Sequence, residues 1–254
     1  MGGYGASFNG IRERKDFLLM SETTLNVSRK EMKYVINSFQ YAELSNVLND
    51  VLIPDKNNKA FGYLIRSLYF DTPFNKDFYE RVDGIENRKK IRIRTYDVND
   101  PKVKLEIKRK FGAAQRKDSV VIDREDAQRL MECDYDVLLK YNSKAANTIY
   151  NIMKIDHYRP VVIIEYRRKA FIHPTNDIRI TFDTEIRSNE IDLDFFNPDT
   201  VLYPLFDYDT KVLEVKYNKF LYRWLSDILG RCDVKQQSVS KYSLSRSFFE
   251  SYMA

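Results

Sequence analysis

The segment Lys90-Ile91-Arg92-Ile93-Arg94 puts three cations on one face of an extended chain and two isoleucines on the other, because successive strand side chains point to opposite sides. The pattern recurs in Lys104-Leu105-Glu106-Ile107-Lys108, Glu31-Met32-Lys33, Glu214-Val215-Lys216 and Arg179-Ile180-Thr181-Phe182-Asp183. Rows of guanidinium and ammonium groups bind a polyanion through charge-assisted, partly bidentate hydrogen bonds. Interleaved carboxylates either hold those cations in place or bind a divalent ion that bridges phosphates. Two settings accommodate the pattern. One is the solvated face of an antiparallel sheet, a common arrangement. The other is a sheet closed on itself, its charged faces lining the interior. A lumen of Arg and Lys repels itself in a low-dielectric interior, so the second setting requires a polyanion.

The elements that must position these residues are mostly strands. Period-2 alternation with β-branched or aromatic residues predicts strands over 29–36, 63–71, 88–96, 102–110, 118–122, 161–171, 178–183 and 211–217. Helices are expected from Ser38 to about Asn49, from Asp123 to about Leu139, and from about Asn218 to Leu229 with Gly230 as C-cap. About eight mostly sequential strands with a few flanking helices predict an α+β fold built on an antiparallel barrel.

Composition narrows the function classes. Of 254 residues, 42 are Lys or Arg and 37 Asp or Glu, a formal net charge of +5. Cys133 and Cys232 are too few for a disulfide framework or a Cys-based zinc site. His157 and His173 stand apart without carboxylates at ligand spacing, which argues against a His-rich metal centre and a Ser-His-Asp apparatus. Apolar runs stop at four residues, so no transmembrane segment is expected, and the reading is a cytoplasmic protein. Residues 1–27, with Gly2, Gly3, Gly5 and Gly10, read as a flexible extension in which Met20 is an alternative start. Residues 28–254, free of Pro/Gly/Ser-rich linkers, read as a single domain.

Seven segments in order carry a resemblance: Arg29-Lys30-Glu31-Met32-Lys33-Tyr34, Ser67-Leu68-Tyr69-Phe70-Asp71-Thr72, Lys90-Ile91-Arg92-Ile93-Arg94, Leu105-Glu106-Ile107-Lys108, Tyr166-Arg167-Arg168-Lys169-Ala170-Phe171, Leu213-Glu214-Val215-Lys216-Tyr217 and Ser240-Lys241-Tyr242-Ser243. Together they resemble the VTC domain, the polyphosphate polymerase domain of the triphosphate tunnel metalloenzyme group, over residues 28–245. The wider group often opens with E-x-E-x-K; here Arg29 replaces the first Glu, which fits the VTC branch better than the cyclase or thiamine-triphosphatase branches.

The resemblance implies a basic barrel tunnel that moves the γ-phosphate of ATP onto polyphosphate, with Mn²⁺ or Mg²⁺ as cofactor. It makes Lys33, Arg92, Arg94 and Lys108 the catalytic set and Arg168, Lys241 and Arg81 phosphate ligands. Lys216 and Arg179, from the same alternating strands, join the phosphate-binding set. Glu214 is the metal ligand, with Glu31 beside it and Glu106 a further candidate. The bland readings are an exposed basic edge strand for Arg92 and Arg94 and a cross-strand ion pair for Glu214. Tyr34, Tyr69, Tyr166 and Tyr217 read as core or tunnel-wall aromatics, and Asp71 and Asp183 as strand ends. The strand bearing Arg168 carries Glu165 and Arg167 on its other face, so its inward side stays open. The expected partners are ATP and polyphosphate or pyrophosphate, and no nucleic acid; oligomeric state stays open. Two other readings stand: a tripolyphosphate or nucleoside triphosphate hydrolase, and a non-catalytic polyanion-binding module.

Overall fold

The computed structural model describes residues 22–27, 30–112, 114–174, 176–231 and 236–253. In chain order the elements are β1 (Glu22–Val27), β2 (Lys30–Ile36), α1 (Ser38–Val51), β3 (Ile53–Pro54), β4 (Tyr63–Asp71), α2 (Lys76–Val82), β5 (Arg88–Thr95), β6 (Lys102–Phe111), β7 (Ala114–Asp123), α3 (Arg124–Met131), a 3₁₀ turn (Tyr135–Lys140), α4 (Lys144–Ile155), β8 (Arg159–Ile172), β9 (Arg179–Asn189), β10 (Tyr203–Pro204), β11 (Lys211–Tyr217), α5 (Arg223–Arg231) and α6 (Lys241–Met253). The strands form one sheet ordered β1-β7-β6-β5-β4-β8-β9-β11-β2, with β3 on β8 and β10 on β9. All its ladders are antiparallel.

The architecture is α+β, with more strands than the eight expected and a hydrogen-bonded order that is open. Among the described residues no ladder joins β1 to β2, the two ends of that order. The chain joins them instead: Val27 and Lys30 are three Cα steps apart, which limits their separation to about 11 Å. Lys108 on β6 also reaches Glu31 on β2 at 3.7 Å, although five strands of the order, β5, β4, β8, β9 and β11, lie between β6 and β2. Such a contact exists only if the sheet wraps around, so its inner face encloses a tunnel.

The outer face carries the alternate, apolar residues and packs under helices. Ile91, Ile93, Leu105, Ile107, Val120 and Ile122 form one cluster with Leu130 of α3 and Ile149 and Met153 of α4. Met32, Tyr34, Ile180, Phe182, Leu213 and Val215 form a second with Leu44 and Leu48 of α1 and Leu225 of α5. The inner face has an apolar section too: Ile65, Ile164 and Val212 cluster with Val239 and Tyr242, seating the start of α6 against the wall.

Local chemistry explains where the elements depart from the pattern. Asn37 rather than Ser38 caps α1, through reciprocal bonds with Gln40 in a capping box. The helix expected over 123–139 stops at Met131, because Cys133 takes φ 65°, outside the helical region. It continues only as the 3₁₀ turn. Gly230 lies within α5 rather than after it. Glu22–Val27, read as part of the extension, pair with β7; residues 1–21 of that extension lie outside the described residues. Not expected from the sequence are α2, α4, α6 and the two-residue strands β3 and β10, although α4 is capped by Ser143 and buries Ala145, Ala146, Ile149 and Met153 at helical spacing. No helix among the described residues is long and apolar enough to cross a membrane.

Candidate functional site

Register decides which charged residues meet. Arg92 and Arg94 on β5 pair with Tyr69 and Ser67 on β4, and with Glu106 and Lys104 on β6. Glu106 and Lys108 pair with Ser119 and Lys117 on β7. Directly opposed antiparallel residues share a face, so all of these project together into the lumen.

Glu106 anchors the first group. Its carboxylate, 3% exposed, accepts from Arg92 Nε and Nη2 at 2.8 Å each and from Lys117 Nζ, with Arg94 at 4.0 Å. Burial pushes the carboxyl up, but Arg92, Arg94 and Lys117 together hold it well below the ordinary carboxylate range. Arg92 also donates to the Tyr69 hydroxyl at 2.7 Å, and Arg94 to Ser67 Oγ at 3.3 Å. Burial, offset in part by Glu106, pulls Lys117 down to about 8.

Asp183 anchors the second group. It takes both edges of the Arg168 guanidinium, at 2.7 and 2.8 Å, and Lys241 Nζ at 2.6 Å. Lys241, at the first position of α6, and Arg168 lie 4.8 and 5.3 Å from the centre of the Tyr166 ring. The question left open on β8 is settled by its pairing with β4: Arg168 lies opposite Tyr63, on the same face as Ser67 and Tyr69, which oppose Arg94 and Arg92, so Arg168 looks inward. Arg167 pairs outside with Glu185 at 3.3 Å, and Glu165 with Arg66 and Arg187 at 2.7 Å each.

Glu31 and Glu214 make the third group. Lys33 approaches Glu31 at 2.9 Å, Lys108 at 3.7 Å and Lys216 at 4.0 Å. Lys216 also pairs with Glu214, which lies 3.7 Å from Arg168 and so links this group to the second. Burial opposes ionisation of Glu214, yet Lys216, Lys33, Arg168 and Lys241 hold its carboxyl well below the usual range. Lys33 additionally donates to the Val239 carbonyl at 3.1 Å.

Two expected ligands sit apart. Arg179 shares the lumen register through Lys216, but its side chain is held at the rim by Asp55 at 2.8 Å and the Tyr63 hydroxyl at 3.2 Å. Arg81 on α2 donates to Ser238 Oγ at 3.0 Å, outside the three groups. Conversely, the lumen contains Lys90, Lys117, Tyr69, Asp183 and Thr181, none of which was expected as a ligand, although Lys90, Thr181 and Asp183 stood in the alternating segments and Tyr69 was read as a core or tunnel-wall aromatic. Lys90 stood on the legible Lys/Arg/Arg face. Asp183 looked like a strand end because β9 was expected to stop there, whereas it runs on to Asn189.

The carboxylates expected to hold a divalent ion, Glu31 and Glu214, lie in the third group, each paired with lysines. Thr181 Oγ1 is buried without a partner and belongs to the residue opposite Glu214. Among the described residues no group of three or more His, Cys, Asp or Glu could hold a metal. Two carboxylates and a hydroxyl are hard oxygen ligands that fit Mg²⁺ or Mn²⁺ only when substrate phosphates complete the shell, as is usual for Mg²⁺.

A sequence model of the VTC domain matches residues 28–249. The chain belongs to the VTC domain family. Solved structures with a similar fold include an adenylate cyclase candidate from Bacillus halodurans, at 11% identity and a TM-score of 0.50, covering 84% of this chain and 96% of that one. Another is a Hippeastrum adenylyl cyclase candidate described as having a dominant triphosphatase activity, at 15% identity and a TM-score of 0.53, covering 86% and 96%. No curated protein matches the chain in sequence. As a VTC domain, this chain carries its charged strand faces on the inside of a triphosphate-tunnel fold.

Proposed function

We propose that this VTC domain is a polyphosphate polymerase that transfers the γ-phosphoryl group of ATP onto a polyphosphate or orthophosphate acceptor. The observation that carries the reading is the charge of the lumen. Among the described residues, Lys33, Lys90, Arg92, Arg94, Lys108, Lys117, Arg168, Lys216 and Lys241 outnumber the carboxylates Glu31, Glu106, Asp183 and Glu214 set among them. Such an excess of enclosed cations is costly in a low-dielectric space unless a polyanion enters.

Phosphoryl transfer through a loose transition state needs in-line positioning and neutralisation of the equatorial oxygens rather than a covalent nucleophile. Arg92 and Arg94 supply two forks two residues apart, and Arg168 a third, for successive phosphoryl groups. Lys33, Lys108, Lys216 and Lys241 act as point charges on non-bridging oxygens. Glu106 and Asp183 hold the arginines in place before substrate arrives, so little reorganisation remains for the reaction itself. Glu214 and Glu31 would hold Mn²⁺ or Mg²⁺, which when bound supplies Lewis-acid neutralisation of the phosphates. With water as acceptor the same site is a triphosphatase, a reading supported by the activity stated for the Hippeastrum protein.

The test is to incubate the protein with ATP and Mn²⁺, follow ADP and orthophosphate separately, and run the products on a polyphosphate gel. ADP without matching orthophosphate, plus a ladder of long chains, is the expected result. Equal ADP and orthophosphate without a ladder would replace the polymerase with the hydrolase. Binding without turnover would leave a polyanion module. Glu214→Gln is expected to abolish metal-dependent turnover; undiminished activity would remove Glu214 from the metal site.

A further inference from the structure

Tyr69 has a place in the lumen that packing alone does not explain. It is 5% exposed and its hydroxyl oxygen accepts from Arg92 Nη1 at 2.7 Å. Arg92 and Lys90 lie 5.6 and 5.9 Å from its ring centre. Its other face stacks on Tyr242 of α6, centroids 5.1 Å apart, and the Tyr242 hydroxyl is itself taken by Asp71. Across the β4–β8 ladder its opposite residue is the apolar Val162. The groups around its oxygen are thus Lys90, Arg92 and Arg94 from β5, with Glu106 of β6 behind Arg92 and already committed to it. Cations dominate. Burial pushes the phenol up, but Arg92, Lys90 and Arg94 outweigh it and bring it down to about 7.

We infer that Tyr69 is a positioning residue of the tunnel, an internal anion that orients Arg92 while the lumen is empty and becomes a hydrogen-bond donor to the polyanion that replaces it. This rests on the polyanion reading of the site. As phenolate, the Tyr69 oxygen accepts only, and it occupies the place beside Arg92 that a phosphate oxygen would take. An incoming triphosphate brings negative charge to the same cations. The phenolate then takes one proton from solvent, keeps accepting from Arg92, and donates its new O–H to a phosphate oxygen; no other bond changes. Above neutral pH, polyanion binding is therefore coupled to proton uptake at Tyr69. Burial draws Lys90 down to about 7, the Tyr69 oxygen opposes that fall, and Lys108, Arg92 and Lys33 add to it; Lys90 and Tyr69 therefore exchange protons in the same range, so proton counting alone does not isolate Tyr69.

Ionised tyrosine has its own near-ultraviolet absorbance, which does. At pH 8 the full chain is titrated with tripolyphosphate while heat and the tyrosinate band are recorded together. Expected is a tyrosinate band in the free protein that disappears in step with the binding heat. In Tyr69→Phe the band is missing, binding persists, and the fall in affinity with rising pH is shallower than in the wild type by up to tenfold per pH unit. Binding heat with no change in the band would overturn the inference while leaving the polyanion reading intact. An unchanged band in Tyr69→Phe would overturn it as well. No binding heat at all would remove the polyanion reading, and this inference with it.

Discussion

Single side chains in this lumen are held by their neighbours' charges, so removing one partner costs more than the contact itself. Glu106→Ala leaves Arg92, Arg94 and Lys117 together without their carboxylate. Breaking a buried pair in this way typically costs about 3–5 kcal/mol, so a large loss of melting temperature is expected, partly restored by tripolyphosphate. An unaltered melting temperature would show that the three cations are well solvated. Arg92→Ala should keep the fold and weaken ATP binding by at least about tenfold, the scale of a hydrogen bond to a charged group, measured by calorimetry. Outside the tunnel, Asp77 on α2 is buried with Oδ2 lacking a partner, while Oδ1 accepts from the Tyr158 hydroxyl. Burial, only partly offset by Lys89, pushes it up to about 7. Because the folded pKa lies above the unfolded one, the fold binds the extra proton and loses stability as pH rises from about 4 to about 7. Asp77→Asn is expected to raise the melting temperature at pH 8 and to change it little at pH 4; equal effects at both would refute the assignment.

At the scale of elements, one glycine sets how β4 enters the sheet beside Arg168. Gly62 has φ 77°, and a Cβ there would lie 2.4 Å from the Arg168 carbonyl oxygen. Gly62→Ala must move one strand off the other, at about 1–3 kcal/mol. The expected signature is lost stability together with weaker triphosphate binding, because Arg168 moves with its backbone; stability lost with affinity intact would confine Gly62 to a structural role. The strands carrying the site were legible because alternation is a local property: Lys90, Arg92 and Arg94 had to share a face, whichever face it was. Which way that face looked was not local. Arg168 and Arg167 were equivalent by period, and only the pairing with β4, which puts Arg168 in line with Ser67 and Tyr69 across from Arg94 and Arg92, separates them. Lys117 lies between Arg116 and Asp118, where every residue is charged and alternation carries no contrast; Arg116 instead turns outward to Asp118 at 3.0 Å. Tyr69 had the same apolar look as its core neighbours Leu68 and Phe70.

For the whole molecule, the enclosed positive charge makes ligand binding a stability term. Tripolyphosphate at a hundred times its dissociation constant should add about 2.7 kcal/mol, and so raise the melting temperature by about 5–10 °C, an effect that shrinks as salt is added. A salt-independent shift would place the ligand elsewhere. Closure itself was only partly legible: the resemblance implied a tunnel, but that the sheet's two end strands are consecutive in the chain emerges only from the pairing order. That arrangement has a consequence for synthesis. β2 leaves the ribosome long before the strand it pairs with, β11, is made. At roughly 5–20 residues per second, β2 waits on the order of ten seconds or more without its ladder partner. The nascent chain then lacks both ladders of β11, to β9 and to β2, and an unpaired edge is where strands of other chains add. Truncation before Lys211 is therefore expected to yield aggregates rather than a smaller folded unit, and co-translational chaperones would be met during that interval.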